Sequence, residues 1–171
     1  CFPNSYKNLK NNIHTKIHNY IKNGKHQLAL NTVNKHLNRE FNHDLLNYRA
    51  VIFILTNKFT AALSDLDRLN SFDPENTHTL CNLGLAHKGL NNKSKSKEFF
   101  VKSIQTDPYY VQSYLNLAEL LIDTFEFNEC IKLLQKLHLF NSKIERSFQL
   151  LATCYREIND FNSYHEALKS C

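Results

Sequence analysis

Residues 77–110 read THTLCNLGLAHKGLNNKSKSKEFFVKSIQTDPYY. Leu80, Leu83, Gly84 and His87 recur at spacings of three and four, which is one face of a helix. Phe99, Phe100, Ser103 and Ile104 mark a second, less regular helical face. Asp107-Pro108 closes the stretch, because the residue before a proline avoids the helical region. Thirty-four residues earlier, Phe72-Asp73-Pro74 closes another stretch in the same way.

Working outward from this stretch, the same design recurs along the chain. Five repeats are expected, at about 10–42, 43–76, 77–110, 111–144 and 145–171. In the first, Ile13, Ile17, Tyr20 and Ile21 form one apolar face, Asn23-Gly24 turns the chain, and Leu28, Ala29, Val33 and Leu37 form the next. Residues 2–9 extend the first helix or cap it. In the second, Leu46, Ala50 and Phe53 precede a turn at Thr56-Asn57, followed by Phe59, Ala62, Leu66 and Leu69. The fourth carries Tyr114, Leu117, Ala118 and Leu121, then Phe127, Cys130, Ile131, Leu134 and Leu137. There Phe140-Asn141-Ser142 replaces the closing Asp-Pro. The fifth carries Phe148, Leu151, Ala152 and Tyr155, then Phe161, Tyr164, Ala167 and Leu168.

A 34-residue period of paired helices is that of the tetratricopeptide repeat, and the chain resembles that family over nearly its whole length. On the family template, Leu46, Leu80, Tyr114 and Phe148 take the large slot of the first helices. Ala50, Gly84, Ala118 and Ala152 take the small slot, and Phe53, His87, Leu121 and Tyr155 the second large one. Ala29, Ala62, Ser96 and Cys130 take the small slot of the second helices, with Tyr164 a bulky departure. One hairpin cannot bury its own apolar face, so neighbours must stack. The resemblance therefore implies an all-α fold. It would be a single right-handed α-solenoid over 1–171, with about five helix-turn-helix hairpins whose first helices line a concave groove.

Composition agrees. The 171 residues are 42% hydrophobic and 22% charged, with three glycines and three prolines. So few turn-formers suit a mostly helical chain. No apolar run reaches membrane-spanning length, and CFPNSYKNLKNN lacks the apolar core of a secretory signal. Methionine is absent, so the chain is read as a piece of a longer protein. Five cysteines, at 1, 81, 130, 154 and 171, lack the spacing of a disulfide framework and suit a reducing compartment such as the cytoplasm. The alternative for Cys1 is the lipid-modified first residue of a membrane-tethered bacterial lipoprotein. The net charge of +5 is uneven: residues 1–42 hold Lys7, Lys10, Lys16, Lys22, Lys25, Lys35 and Arg39 against Glu40. This basic end reads as a solvated face.

Catalytic signatures are missing. There is no phosphate-cradling glycine loop and no nucleophile elbow, and no cofactor is expected. Asp65 and Asp67 read as surface charge. His14 and His18 stand four apart without a third ligand, so no metal is expected. His87 and the cysteines at core positions read as packing residues.

Binding is the better prospect. The family resemblance implies that the inward face of each first helix meets a ligand. That face presents Asn47, Tyr48 and Val51 from the second repeat and Asn82 and Leu85 from the third. It continues with Gln112, Leu115, Asn116 and Glu119 from the fourth, and Arg146, Gln149 and Thr153 from the fifth. Asn82 and Asn116 share one template slot, and an amide both donates and accepts. The pair resembles two rungs of the asparagine ladder of O-linked sugar transferases, which Tyr48 and Leu150 interrupt. A chaperone-type carboxylate clamp is not expected, because Gln112 and Asn116 stand where it needs cations.

The expected function is a non-catalytic scaffold that holds a peptide or partner-protein segment in its groove. The alternatives are the recruitment arm of a larger enzyme, such as a glycosyl- or sulfotransferase, and a lipid-anchored envelope assembly factor. A nucleic-acid partner is not expected, and a membrane enters only if Cys1 carries lipid.

Overall fold

A computed structural model describes the backbone of residues 5–39, 42–141 and 143–170, with side chains from residue 13 onward. The expectations for Cys1, residues 2–4, Glu40, Ser142 and Cys171, and for the side chains of Lys7 and Lys10, lie outside the described residues. Among those residues the chain forms ten α-helices and no strand. In order they are α1 (Ser5–Lys22), α2 (His26–Leu37), α3 (His43–Leu55), α4 (Phe59–Phe72), α5 (Thr77–Gly89), α6 (Lys93–Thr106), α7 (Val111–Asp123), α8 (Phe127–His138), α9 (Glu145–Glu157) and α10 (Phe161–Lys169).

The helix ends have local causes. Asn42 and Asn76 start α3 and α5, their side-chain oxygens accepting from the amides of Leu45 and Thr79 at 3.1 and 3.0 Å. Each cap satisfies an amide that the first helical turn leaves without a partner. The second helices α4 and α6 stop at Phe72 and Thr106, just ahead of the two Asp-Pro pairs.

The chain divides into two compact units, one through Pro74 and one from Glu75. In the first, each helix from α1 to α4 packs on the next. Ile17, Ala29, Val33, Leu45 and Ile52 make a buried cluster with Ile13, Tyr20 and Tyr48 against it. Leu28 departs from expectation and stands half exposed. The unit also encloses a charge. Arg49 grips Asp65 with two hydrogen bonds of 2.7 and 2.8 Å and reaches the Asn34 side chain at 3.2 Å. Asp65 is therefore not surface charge, as its sequence context implies; it is 4% exposed.

In the second unit each helix from α5 to α10 packs on the next, and α5, α7 and α9 also lie side by side. Phe100, Tyr114, Leu117, Leu121, Leu134 and Leu151 belong to its core. The small template slots do what small residues permit. A Cβ on Gly84 would lie 2.5 Å from two ring carbons of Phe100, a ring that is fully buried. Ser96 fills the facing slot and donates to the Gly84 carbonyl at 2.8 Å. One repeat later, Cys130 points its thiol at the Ala118 carbonyl at 3.5 Å. The contact is thus repeated with different atoms. Two second-unit expectations fail on α10: Phe161 and Leu168 stay exposed, and Ala167 alone of its expected face is buried.

Gly84→Ala should lower stability in urea unfolding. Forcing a methyl into a packed core costs about 1–3 kcal/mol, and the better helix propensity of alanine returns only about 1 kcal/mol. Arg49→Ala should cost more, about 3 kcal/mol, the low end for a broken buried pair because the arginine is 24% exposed. Arg49→Met with Asp65→Leu should recover most of that loss, since no charge is then left enclosed.

Candidate partner-binding face

Three of the expected binding residues belong to the first unit and nine to the second. In the first unit, Asn47, Tyr48 and Val51 lie on α3 and are half-buried. Tyr48 is partly consumed by the fold: it packs on the core, and its ring meets His14 edge-on at 5.6 Å.

The second unit carries the larger set. Because α5, α7 and α9 lie side by side, their solvent-facing positions form one surface. Asn82 and Leu85 on α5 and Leu115 on α7 are half-buried, and Gln112 is exposed. Asn116 is different. It is 6% exposed, its amide nitrogen donates to Cys81 Sγ at 3.3 Å, and its oxygen accepts from Gln112 Nε2 at 3.2 Å. Both ends of the amide are engaged within the fold. The two-rung ladder inferred from Asn82 and Asn116 is corrected accordingly: the second rung fastens α7 to α5.

Further along the same surface the charged residues converge. Glu119 on α7 accepts from Arg146 Nη2 of α9 at 3.0 Å and sits 3.6 Å from Lys88 Nζ of α5. Lys88 also pairs with Asp123 at 3.2 Å. One carboxylate therefore ties three first helices together. Arg146 reaches Gln149 at 3.4 Å, Gln149 donates to Glu145 at 3.2 Å, and Thr153 donates to the Gln149 carbonyl at 3.0 Å. These groups surround a cavity of about 310 Å³, whose apolar lining comes from Ile122 and Leu150. Four expected residues line it: Glu119, Arg146, Gln149 and Thr153. Lys88, Ile122 and Asp123 join them unforeseen. Their signal was helical register, since Lys88 follows Leu85 by three and Asp123 follows Glu119 by four.

The arrangement offers donors, acceptors and both signs of charge over an apolar base. The cations and carboxylates are partly exposed, and such pairs add little to stability, so a partner's charges can replace them at low cost. The thiols nearby are closed off. Burial raises Cys81 above the ordinary thiol range, and the hydrogen bond between Cys130 and Cys154 raises the first and lowers the second; all three are buried, which closes them to reagents. Cys81 and Cys130, buried and kept protonated, are poor nucleophiles. His138 is pushed down by burial, which favours its neutral form beside Ser147 at 2.6 Å. Among the described residues, no group of three His, Cys, Asp or Glu side chains is placed to hold a metal, and no helix is long and apolar enough to cross a membrane.

Comparison with known proteins bears on this face through the fold. Residues 77–110 match the family model described as tetratricopeptide repeat. A structure of MamA superposes with a TM-score of 0.75 at 16% identity, covering 89% of this chain and 92% of that one. PilF of Pseudomonas aeruginosa gives 0.83 at 14% identity, over 96% and 75%. A tetratricopeptide repeat protein of Parabacteroides merdae gives 0.74 at 15% identity, over 93% and 64%. At such identities the likeness is one of fold. No curated protein matches the sequence.

Asn116→Ala should behave as a structural substitution. Losing a buried, doubly bonded amide costs about 1–3 kcal/mol, read as an earlier urea midpoint. Gln112→Ala, which removes an exposed partner of the same bond, should cost less than 1 kcal/mol on the scale of surface substitutions.

Proposed function

We propose, from the tetratricopeptide-repeat match of residues 77–110 and from the likeness of the fold, that the chain is a non-catalytic scaffold. It holds a segment of another protein against the surface formed by α5, α7 and α9. The observation that carries this reading is the cavity of about 310 Å³ crossed by the Lys88–Glu119–Arg146 chain of charges. A pocket with an apolar base and a few convergent polar groups is the ordinary form of a binding site.

The chemistry of the face describes its ligand. Leu85, Leu115, Ile122 and Leu150 offer area for an apolar side chain. Arg146 and Lys88 can turn to a carboxylate, and Glu119 and Asp123 to an amine or guanidinium. Gln149 and Thr153 supply hydrogen bonds that set register. Charge complementarity of this kind governs which partner docks and how fast more than how tightly.

Arg146→Ala combined with Gln149→Ala tests the reading. Both side chains are exposed, so circular dichroism should show unchanged helix content. Proteins captured by the wild-type chain in a quantitative pull-down should fall at least about tenfold with the variant, the loss that two interface contacts carry. Undiminished capture of the same proteins would reject this face.

A further inference from the structure

The turn inside each hairpin contains one residue in the left-handed region. Gly24, Asn57, Asn91 and Asn159 hold it at φ of 69, 57, 59 and 61°. Glycine adopts that conformation without a Cβ clash, and asparagine tolerates it better than most residues. The fourth repeat places Phe125 in the same slot at φ 62°. A bulky side chain there is an outlier, and strain of this kind gathers where a protein binds or switches.

The hydrophobic core does not account for Phe125. Its surface is 79% exposed, and its ring meets Phe127 edge-on at 6.1 Å. Beside it opens a second cavity, of about 510 Å³, with Leu120 and Ile122 on its wall and Lys88, Lys93 and Asp123 at its edge. The charges there are unequal. Lys88 pairs with Asp123 at 3.2 Å and shares Glu119 with Arg146, at 3.6 and 3.0 Å, a chain of two cations and two carboxylates whose charges cancel. Lys93 donates to the main-chain carbonyl of Asp123 at 3.0 Å, a dipole that leaves its unit charge uncancelled. The cavity thus joins an apolar wall to a surplus positive charge.

We propose that Phe125 and this cavity form a second docking site, for an acidic segment of a partner protein. An apolar side chain of that segment lies on Phe125 and the cavity wall, and a neighbouring carboxylate meets Lys93. The site lies beside the turns of the third and fourth repeats; Lys88, Ile122 and Asp123 border both cavities, but Phe125 and Lys93 line only this one. It does not rest on the reading of the other cavity.

The test uses the full chain, immobilised, and a random peptide display library as the probe. The wild type should enrich peptides in which Asp or Glu flanks Leu or Phe. Phe125→Asn restores the residue of the neighbouring turns, so its unfolding midpoint should rise by about 2–4 °C. Its affinity for the enriched peptides should nonetheless fall by about tenfold or more. Lys93→Glu should also lose them, and wild-type binding should weaken as salt screens the ion pair. Arg146→Ala with Gln149→Ala should keep them, which separates this site from the first. A Phe125→Asn protein that melts at or below the wild-type temperature would mean that the ring serves packing. That result, retained peptide affinity, or a selection yielding no acidic peptide would each overturn the proposal.

Discussion

Everything in the second unit depends on how closely α5 can approach α6. Gly84 has no side chain, and the ring of Phe100 occupies the space that one would fill. That contact lets the hairpin close. Closing it buries Phe100 and Leu83 together and brings Ser96 within reach of the Gly84 carbonyl. The same demand at Ala118 and Cys130 sets the next hairpin. Dense packing of this kind leaves little room for substitution. The register of α7 then follows: Ser103 meets Ser113 at 2.6 Å and the Thr77 carbonyl at 3.0 Å, and Tyr114 donates to the Pro108 carbonyl at 3.1 Å. These buried hydroxyls join consecutive helices where apolar contacts alone would let them slide.

Positions that follow from repetition were the easiest to read from sequence. A small residue at 50, 84, 118 and 152 and a large one at 46, 80 and 114 repeat every 34 residues, and all seven are buried. The sequence context of Asp65 misleads because its partner, Arg49, lies on a different helix, sixteen residues away. Nothing within its own helix distinguishes an enclosed carboxylate from a solvated one. Asn116 looked like a groove amide for the related reason that its slot matched Asn82. Cys81, which receives its hydrogen bond, occurs in one repeat only and leaves no periodic trace. Phe125 leaves no mark on the template, which describes helices, because its departure lies in a turn.

The face of α5, α7 and α9 shows a division of labour. Residues that set helix spacing are buried and neutral, while those that face outward carry charges whose mutual pairing contributes little to stability. Glu119 serves both neighbours, Lys88 and Arg146, so moving one cation toward a ligand leaves the other in place. A surface built in this way can be re-paired by a ligand without disturbing the packing beneath it. That separation of packing from pairing is what a holding function requires.

Site-specific photo-crosslinking reads the central claim most directly. A benzophenone side chain would replace Gln149 on α9 in one protein and the exposed Gln135 on α8 in another. The account predicts that a bound partner is captured from position 149 and not from position 135. Capture from 135 with none from 149 would place the partner on the second helices and contradict it.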